Sequence, residues 1–225
     1  MRKALLIIIL LTIWTFYAKA QYVEFPTTDL YDTDVMNMSL RAHAQMSNRI
    51  RNIMYEVQPL RTLQYQKYRE GKYSDAINIC IEARNKYVYY VVDNRAISDM
   101  EVLAADCACK IKNYELAIAF YNIAKEAGEQ GVDNKLYSVF NTKLQDARYS
   151  YKNSDYRSLW DDVKIALKTG WENGECYFYQ GVCYEKAANN SDGDKYKLAK
   201  KMYKLAKKKK YSPAITALKE LKKKM

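Results

Sequence analysis

One histidine, three prolines and seven glycines in 225 residues are small numbers, and each shortage excludes something. His43 stands alone, which rules out H-E-x-x-H zinc chemistry and every multi-histidine centre. With so few breakers, long stretches are free to be helical. There is no G-x-S-x-G elbow, no P-loop and no dinucleotide fingerprint. Cys107-x-Cys109 lacks the paired C-x2–4-C spacing of a structural zinc site, and Asp161-Asp162 has no second acidic partner at readable spacing. No catalytic residue, metal ligand or cofactor is therefore expected. Beyond residue 20 no stretch is apolar enough to cross a bilayer.

Tyrosine is what the chain has in quantity, with 22 residues in a composition of 49% hydrophobic and 28% charged. That balance folds, and tyrosine suits half-buried helix faces where the ring is covered and the hydroxyl stays wet. An all-α fold is expected.

The opening MRKALLIIILLTIWTFYAKAQ is read apart from the fold. Arg2 and Lys3 precede an uncharged apolar run from Ala4 to Tyr17, and Ala18-Lys19-Ala20 is the small-x-small pattern a signal peptidase cuts. The competing reading is a retained anchor, but the run is shorter than the roughly 18 to 20 residues a spanning helix needs. Residues 1–20 read as a signal peptide, with a mature chain from Gln21 that is exported, periplasmic or secreted. Oxidising compartments favour disulfides, which makes the cysteines a question. Cys107 and Cys109 would point to nearly opposite sides of a shared helix, and Cys176 and Cys183 would lie about 10 Å apart along one. Neither forms a local pair, and long-range pairing stays open. Cys80 falls in a packing slot of the pattern described next, as a small buried hydrophobe would.

Tyr73, Tyr114, Tyr156 and Tyr196 stand 41, 42 and 40 residues apart. Three, seven and ten residues after them come Ala76, Cys80 and Ala83; Ala117, Tyr121 and Ala124; Leu159, Val163 and Ala166; and Ala199, Tyr203 and Ala206. Steps of four and three return to one side of a helix, so each set is a packing stripe. Ahead of each Tyr lies an amphipathic stretch and a turn, at Gly71-Lys72, Lys112-Asn113, Ser154-Asp155 and Asp194-Lys195. Each unit reads as a helix pair. Extra length in the first falls in Arg84 to Ala96, as a lengthened second helix or a loop, and in the fourth in Ala187 to Asp194.

In the fourth unit Gly181 and Tyr184, with Tyr177 one turn earlier, complete a first-helix signature. The pattern resembles the tetratricopeptide repeat, whose helices read W-x2-L-G-x2-Y and A-x3-F-x2-A. It covers roughly Glu56 to Ala206, with a period longer than the usual ~34 residues and with Leu159 in place of a small residue. The resemblance implies a right-handed α-solenoid of four helix pairs over residues 56–211, each leaning on its neighbours. Residues 21–55 would be an extended leader and an N-terminal capping helix, with Met36, Leu40, Met46, Ile50, Ile53 and Met54 on a helical pattern and Asp32, Thr33 or Asp34 as N-cap. Residues 212–225 would be a Lys-rich C-terminal capping helix that starts at Ser212-Pro213.

By the same resemblance, the first helices line a concave groove. Arg69, Lys110, Lys152 and Lys186 recur at one repeat position, and Tyr68 and Tyr151 stand beside two of them. Together with Arg61, Tyr65 and Arg148 they would make a positive, aromatic groove suited to an extended peptide with carboxylates. The plainer reading is that the lysines are solvated and the tyrosines are packing.

Charge is segregated as well. Lys195 to Met225 holds 13 lysines against Glu220, a net of +12, and leaves −4 for Gln21 to Asp194. Around the stripe of Leu198, Ala199, Met202, Tyr203 and Ala206 lie lysines that include Lys204, Lys207, Lys208, Lys209 and Lys210. They either solvate a packed helix or bind an anionic envelope surface. Nucleic acid is not an expected partner, because no reading motif occurs. The sequence reads as a non-catalytic protein- or peptide-binding adaptor or scaffold of the cell envelope or extracellular space. Its alternative is a basic surface-binding module that docks on anionic lipid or glycan through the Lys-rich C-terminus.

Overall fold

The computed structural model describes residues 33–188 and 193–224, so the expected signal peptide and extended leader lie outside the described residues. The fold is all-helical. In chain order come α1 (Thr33–Glu56), α2 (Gln58–Arg69), α3 (Tyr73–Tyr87), a 3-10 turn (Val91–Ala96), α4 (Ser98–Lys110), α5 (Tyr114–Glu126), α6 (Val132–Lys152), α7 (Tyr156–Lys168), α8 (Gly174–Ala187), α9 (Gly193–Lys208) and α10 (Pro213–Lys224). They pack in adjacent pairs, α2 with α3, α4 with α5, α6 with α7 and α8 with α9, and each pair then meets the next through chain neighbours.

Three of the pairs turn by one device. Gly71, Lys112 and Ser154 each stand two residues before a repeat tyrosine with φ of 71, 59 and 58°. A left-handed residue there lets the next N–H reach back and close the preceding helix, as in Lys72 to the Lys67 carbonyl, Asn113 to Ala108 and Asp155 to Ser150, at 2.8 to 2.9 Å. The residue that follows opens the next helix. Asn113 accepts from the Leu116 N–H at 3.2 Å, and Asp155 accepts from Ser158 at 3.0 Å. Lys210, with φ of 63°, repeats the device between α9 and α10.

All twelve stripe positions are buried, none more than 3% exposed. Gly181 explains the close approach in the last pair, because a Cβ there would meet the Tyr203 ring at 2.5 Å. Tyr196 behaves differently from its counterparts: α9 starts at Gly193, so Asp194-Lys195 belongs to the helix and not to a turn. The extra length of the first unit resolves into the 3-10 turn, where Asp93 is fully buried, accepts from the Tyr89 and Tyr90 N–H groups, and holds Arg49 at 2.7 and 2.9 Å.

The chain divides into two compact units, Met1–Gln45 and Met46–Met225. Of the first, the described part is helical and exposes Met38 and Leu40. In the second, Ile53 is buried and Ile50 packs on the core, while Met46 and Met54 are exposed. Of the described side chains in the expected capping stripe, the two isoleucines are covered and Leu40, Met46 and Met54 are exposed. At the other end α10 packs on α8 and α9 and buries Ala214 and Leu221.

Candidate peptide-binding face

Helices α2 and α4, the first members of consecutive pairs, touch directly and leave a cleft of about 530 Å³. Positions 61, 65 and 99, 103, 106 recur at helical spacing, so Arg61 and Tyr65 face Asp99, Leu103 and Asp106 across it. Gln64 forms part of the wall and is fully buried. Its amide donates to the Met100 carbonyl at 2.9 Å, while its carbonyl oxygen has no hydrogen-bond partner among the described residues. A buried acceptor left without a donor costs roughly 1–3 kcal/mol unless something supplies one.

The cations expected to form an open positive groove are in part spoken for. Arg61 forks onto Asp99 at 2.7 and 3.1 Å and donates to the Ala96 carbonyl and Gln58. Arg148 forks onto Glu175 at 2.9 and 2.7 Å, and the Tyr179 hydroxyl donates to the same carboxylate. Burial alone would raise Glu175, but these two bonds outweigh it and hold the carboxyl below its ordinary range. Lys135 binds Asp106 at 2.8 and 2.7 Å, beside the Tyr121 hydroxyl, which donates to Asp106 at 2.5 Å. Half-buried pairs of this kind tie successive helix pairs together and neutralise the face.

Arg69, Lys110 and Lys152 are the final residues of α2, α4 and α6, and Lys186 is the next to last of α8. Cations there complement the negative helix end, which accounts for the recurrence without any ligand. Arg69, Lys110 and Lys152 are exposed and form no ion pair among the described residues. Tyr65 is 56% exposed and stacks on Tyr68, which packs against Tyr73 at 5.9 Å. Tyr151 leans on Phe178 and Tyr179 with centroids 5.8 and 5.1 Å apart, so much of its ring serves the interior. Lys186 lies elsewhere, over the Tyr156 ring in a different cleft. Of the lysines in the basic set, Lys209 binds Glu172 at 2.6 Å, and Lys204, Lys207, Lys208 and Lys210 are exposed without ion pairs among the described residues.

Sequence reasoning missed Asp99, Asp106, Glu175 and Gln64. The carboxylates meet partners 27 to 38 residues away, beyond any local spacing rule. Gln64 did carry a signal, as a polar residue one turn from Leu60 and Tyr68, which pack on the core. All five cysteines are unpaired thiols, and burial pushes Cys107 and Cys176 up to about 11 and Cys183 to about 12. Among the described residues no cluster of three or more His, Cys, Asp or Glu is placed to hold a metal ion, and no helix is long and apolar enough to cross a membrane. No family model and no curated protein matches this chain.

Proposed function

We propose that this chain is a non-catalytic protein- or peptide-binding adaptor, built as a right-handed solenoid of four tetratricopeptide-like pairs and exported to the cell envelope or beyond. The observation that carries this reading is the cleft between α2 and α4, into which Tyr65 presents a ring that is more than half exposed. An extended segment lying in the cleft would pack a side chain on that ring. The recurring left-handed turns and the buried stripes support the repeat assignment. Because Arg61 and Arg148 already hold carboxylates, the bound segment is read mainly through an apolar or aromatic side chain, with Lys110 and Lys152 adding attraction.

A photocrosslinking residue at Tyr65 tests this in the native setting. It should capture a partner segment, and combining Thr62→Glu with Tyr65→Ala, both exposed lining residues, should abolish binding of that partner while the helical circular-dichroism signal persists. Partner binding that survives the double change sinks the proposal.

Lys204, Lys207, Lys208 and Lys210, exposed and without ion pairs among the described residues, favour a second reading, in which the C-terminal lysines dock the protein on an anionic surface. Such binding would weaken steeply between low and physiological salt and disappear when Lys207 to Lys210 are neutralised. Peptide capture in the α2 and α4 cleft would respond to neither change as strongly.

A further inference from the structure

A second cleft, also of about 530 Å³, opens where α7, the end of α8 and the start of α9 meet. Its volume falls within the roughly 300–1,000 Å³ typical of small-ligand sites. Three rings line it. Trp160 and Tyr184 pack edge to face at 5.2 Å, and Tyr156 carries the Lys186 ammonium over its ring at 5.4 Å. Aromatic clefts of this kind often hold cationic ligands. Here the charges argue the reverse, because among the described residues the charged lining side chains are Arg157, Lys186 and Lys195, with no carboxylate. Lys195 donates to the Ala187 carbonyl at 2.9 Å, whereas Arg157 and Lys186 are exposed and form no ion pair among the described residues.

The remaining wall is chemically quiet. Cys183 is buried and donates weakly to the Tyr156 carbonyl at 3.6 Å, and burial pushes its thiol up to about 12, which disfavours the reactive thiolate.

We infer that this cleft is a binding site for a small carboxylate carried on a flat ring, which stacks against Trp160 and Tyr184 while its charge meets Arg157 and Lys186. An aromatic acid and a uronic-acid sugar share that chemistry, since the apolar face of a sugar ring also packs on indole and phenol. The site is separate from the α2 and α4 cleft and does not depend on the adaptor reading.

Isothermal titration of the full chain at low salt decides it, with 2-naphthoate, digalacturonate and, as a cationic comparison, benzyltrimethylammonium. At least one of the two carboxylates should bind saturably at one site, and which one identifies the ring as aromatic or sugar. The cation should not bind. Arg157→Glu with Lys186→Glu should weaken binding at least tenfold; both residues are exposed, so the variant keeps its fold, checked by circular dichroism. Trp160→Ala should weaken binding to a similar degree. Lys207→Gln with Lys208→Gln should leave it unchanged. The inference is overturned if neither carboxylate binds, if the cation binds as well as they do, if the charge-reversed variant retains full affinity, or if neutralising Lys207 and Lys208 removes the binding.

Discussion

Two interiors, divided within α6 between Val139 and Phe140, are made of different materials. The first encloses Gln64, Asp93 and Glu101 with no exposed surface. Charged groups there bridge elements, as Arg49 does to Asp93 and Arg84 to Glu101. The second is a set of rings, in which Phe178 contacts Tyr151, Tyr179, Tyr203 and Tyr211. Both halves nevertheless use the same turn and the same three-slot stripe. The backbone device is therefore independent of the core chemistry it supports, and the slot seven residues after the repeat tyrosine shows how far that goes: it holds Cys80, Tyr121, Val163 and Tyr203.

That slot offers the sharpest way to separate the halves. Tyr203→Ala should cost about 3–5 kcal/mol, since it empties a fully buried ring site, whereas Cys80→Ala should cost about 1. Urea melts of the two variants measure the gap, and equal losses would mean that the second interior does not rest on its rings. Overfilling comes next. Gly181→Ala drives a methyl into the Tyr203 ring, and Ala117→Trp forces a large ring into a closed slot, each at about 1–3 kcal/mol in thermal or urea unfolding.

Acid should push the halves in opposite directions. Burial raises Glu101 to about 7 against the pull of Arg84, with Asp99 adding to the rise. A raised carboxyl favours the folded state below its unfolded value near 4.5, and that contribution is lost as pH climbs through 7. Glu175 is lowered, so its contribution is present above its unfolded value and is lost as pH falls. The stability difference between wild type and Glu101→Gln should therefore change by up to roughly 2 kcal/mol from pH 5 to pH 8, in the sense that wild type loses ground. For Glu175→Gln wild type should lose ground toward acid instead. Parallel slopes in the two series would break the comparison.

The turns come after these in size. Lys112→Gly and Ser154→Gly should each stabilise by about 0.5–1 kcal/mol, because they relieve a side chain held at positive φ, and Gly71→Ala should cost a similar amount. Smallest of all, Lys110→Glu and Lys152→Glu should each cost about 0.3–1 kcal/mol through the helix end they face.

The helix starts at Tyr73, Tyr114 and Tyr156 were legible because a breaker, a cap and a periodic stripe coincide within a dozen residues. The fourth was misplaced, since Asp194-Lys195 has the composition of a turn but lies inside α9, where α8 and the Tyr203 ring on Gly181 decide the packing. Site electrostatics were least legible. Periodicity marks where Arg61 and Arg148 stand on their helices, yet whether they are open to a ligand depends on Asp99 and Glu175 across a helix boundary. The cleft around Trp160 was hidden for the same reason: its lining comes from three helices and its rings from two, and none of them is unusual within its own.

The principal helix contacts join elements one or two apart in chain order, and this has a kinetic consequence. Such wiring gives a low contact order, so little loop entropy must be lost before each native contact is rewarded. Each hairpin can assemble as it leaves the ribosome, with only the preceding pair required as a template. A truncation after a complete pair should therefore leave the upstream helices able to fold, frayed at the newly bared face, while a cut inside a pair strands half of a buried stripe in water.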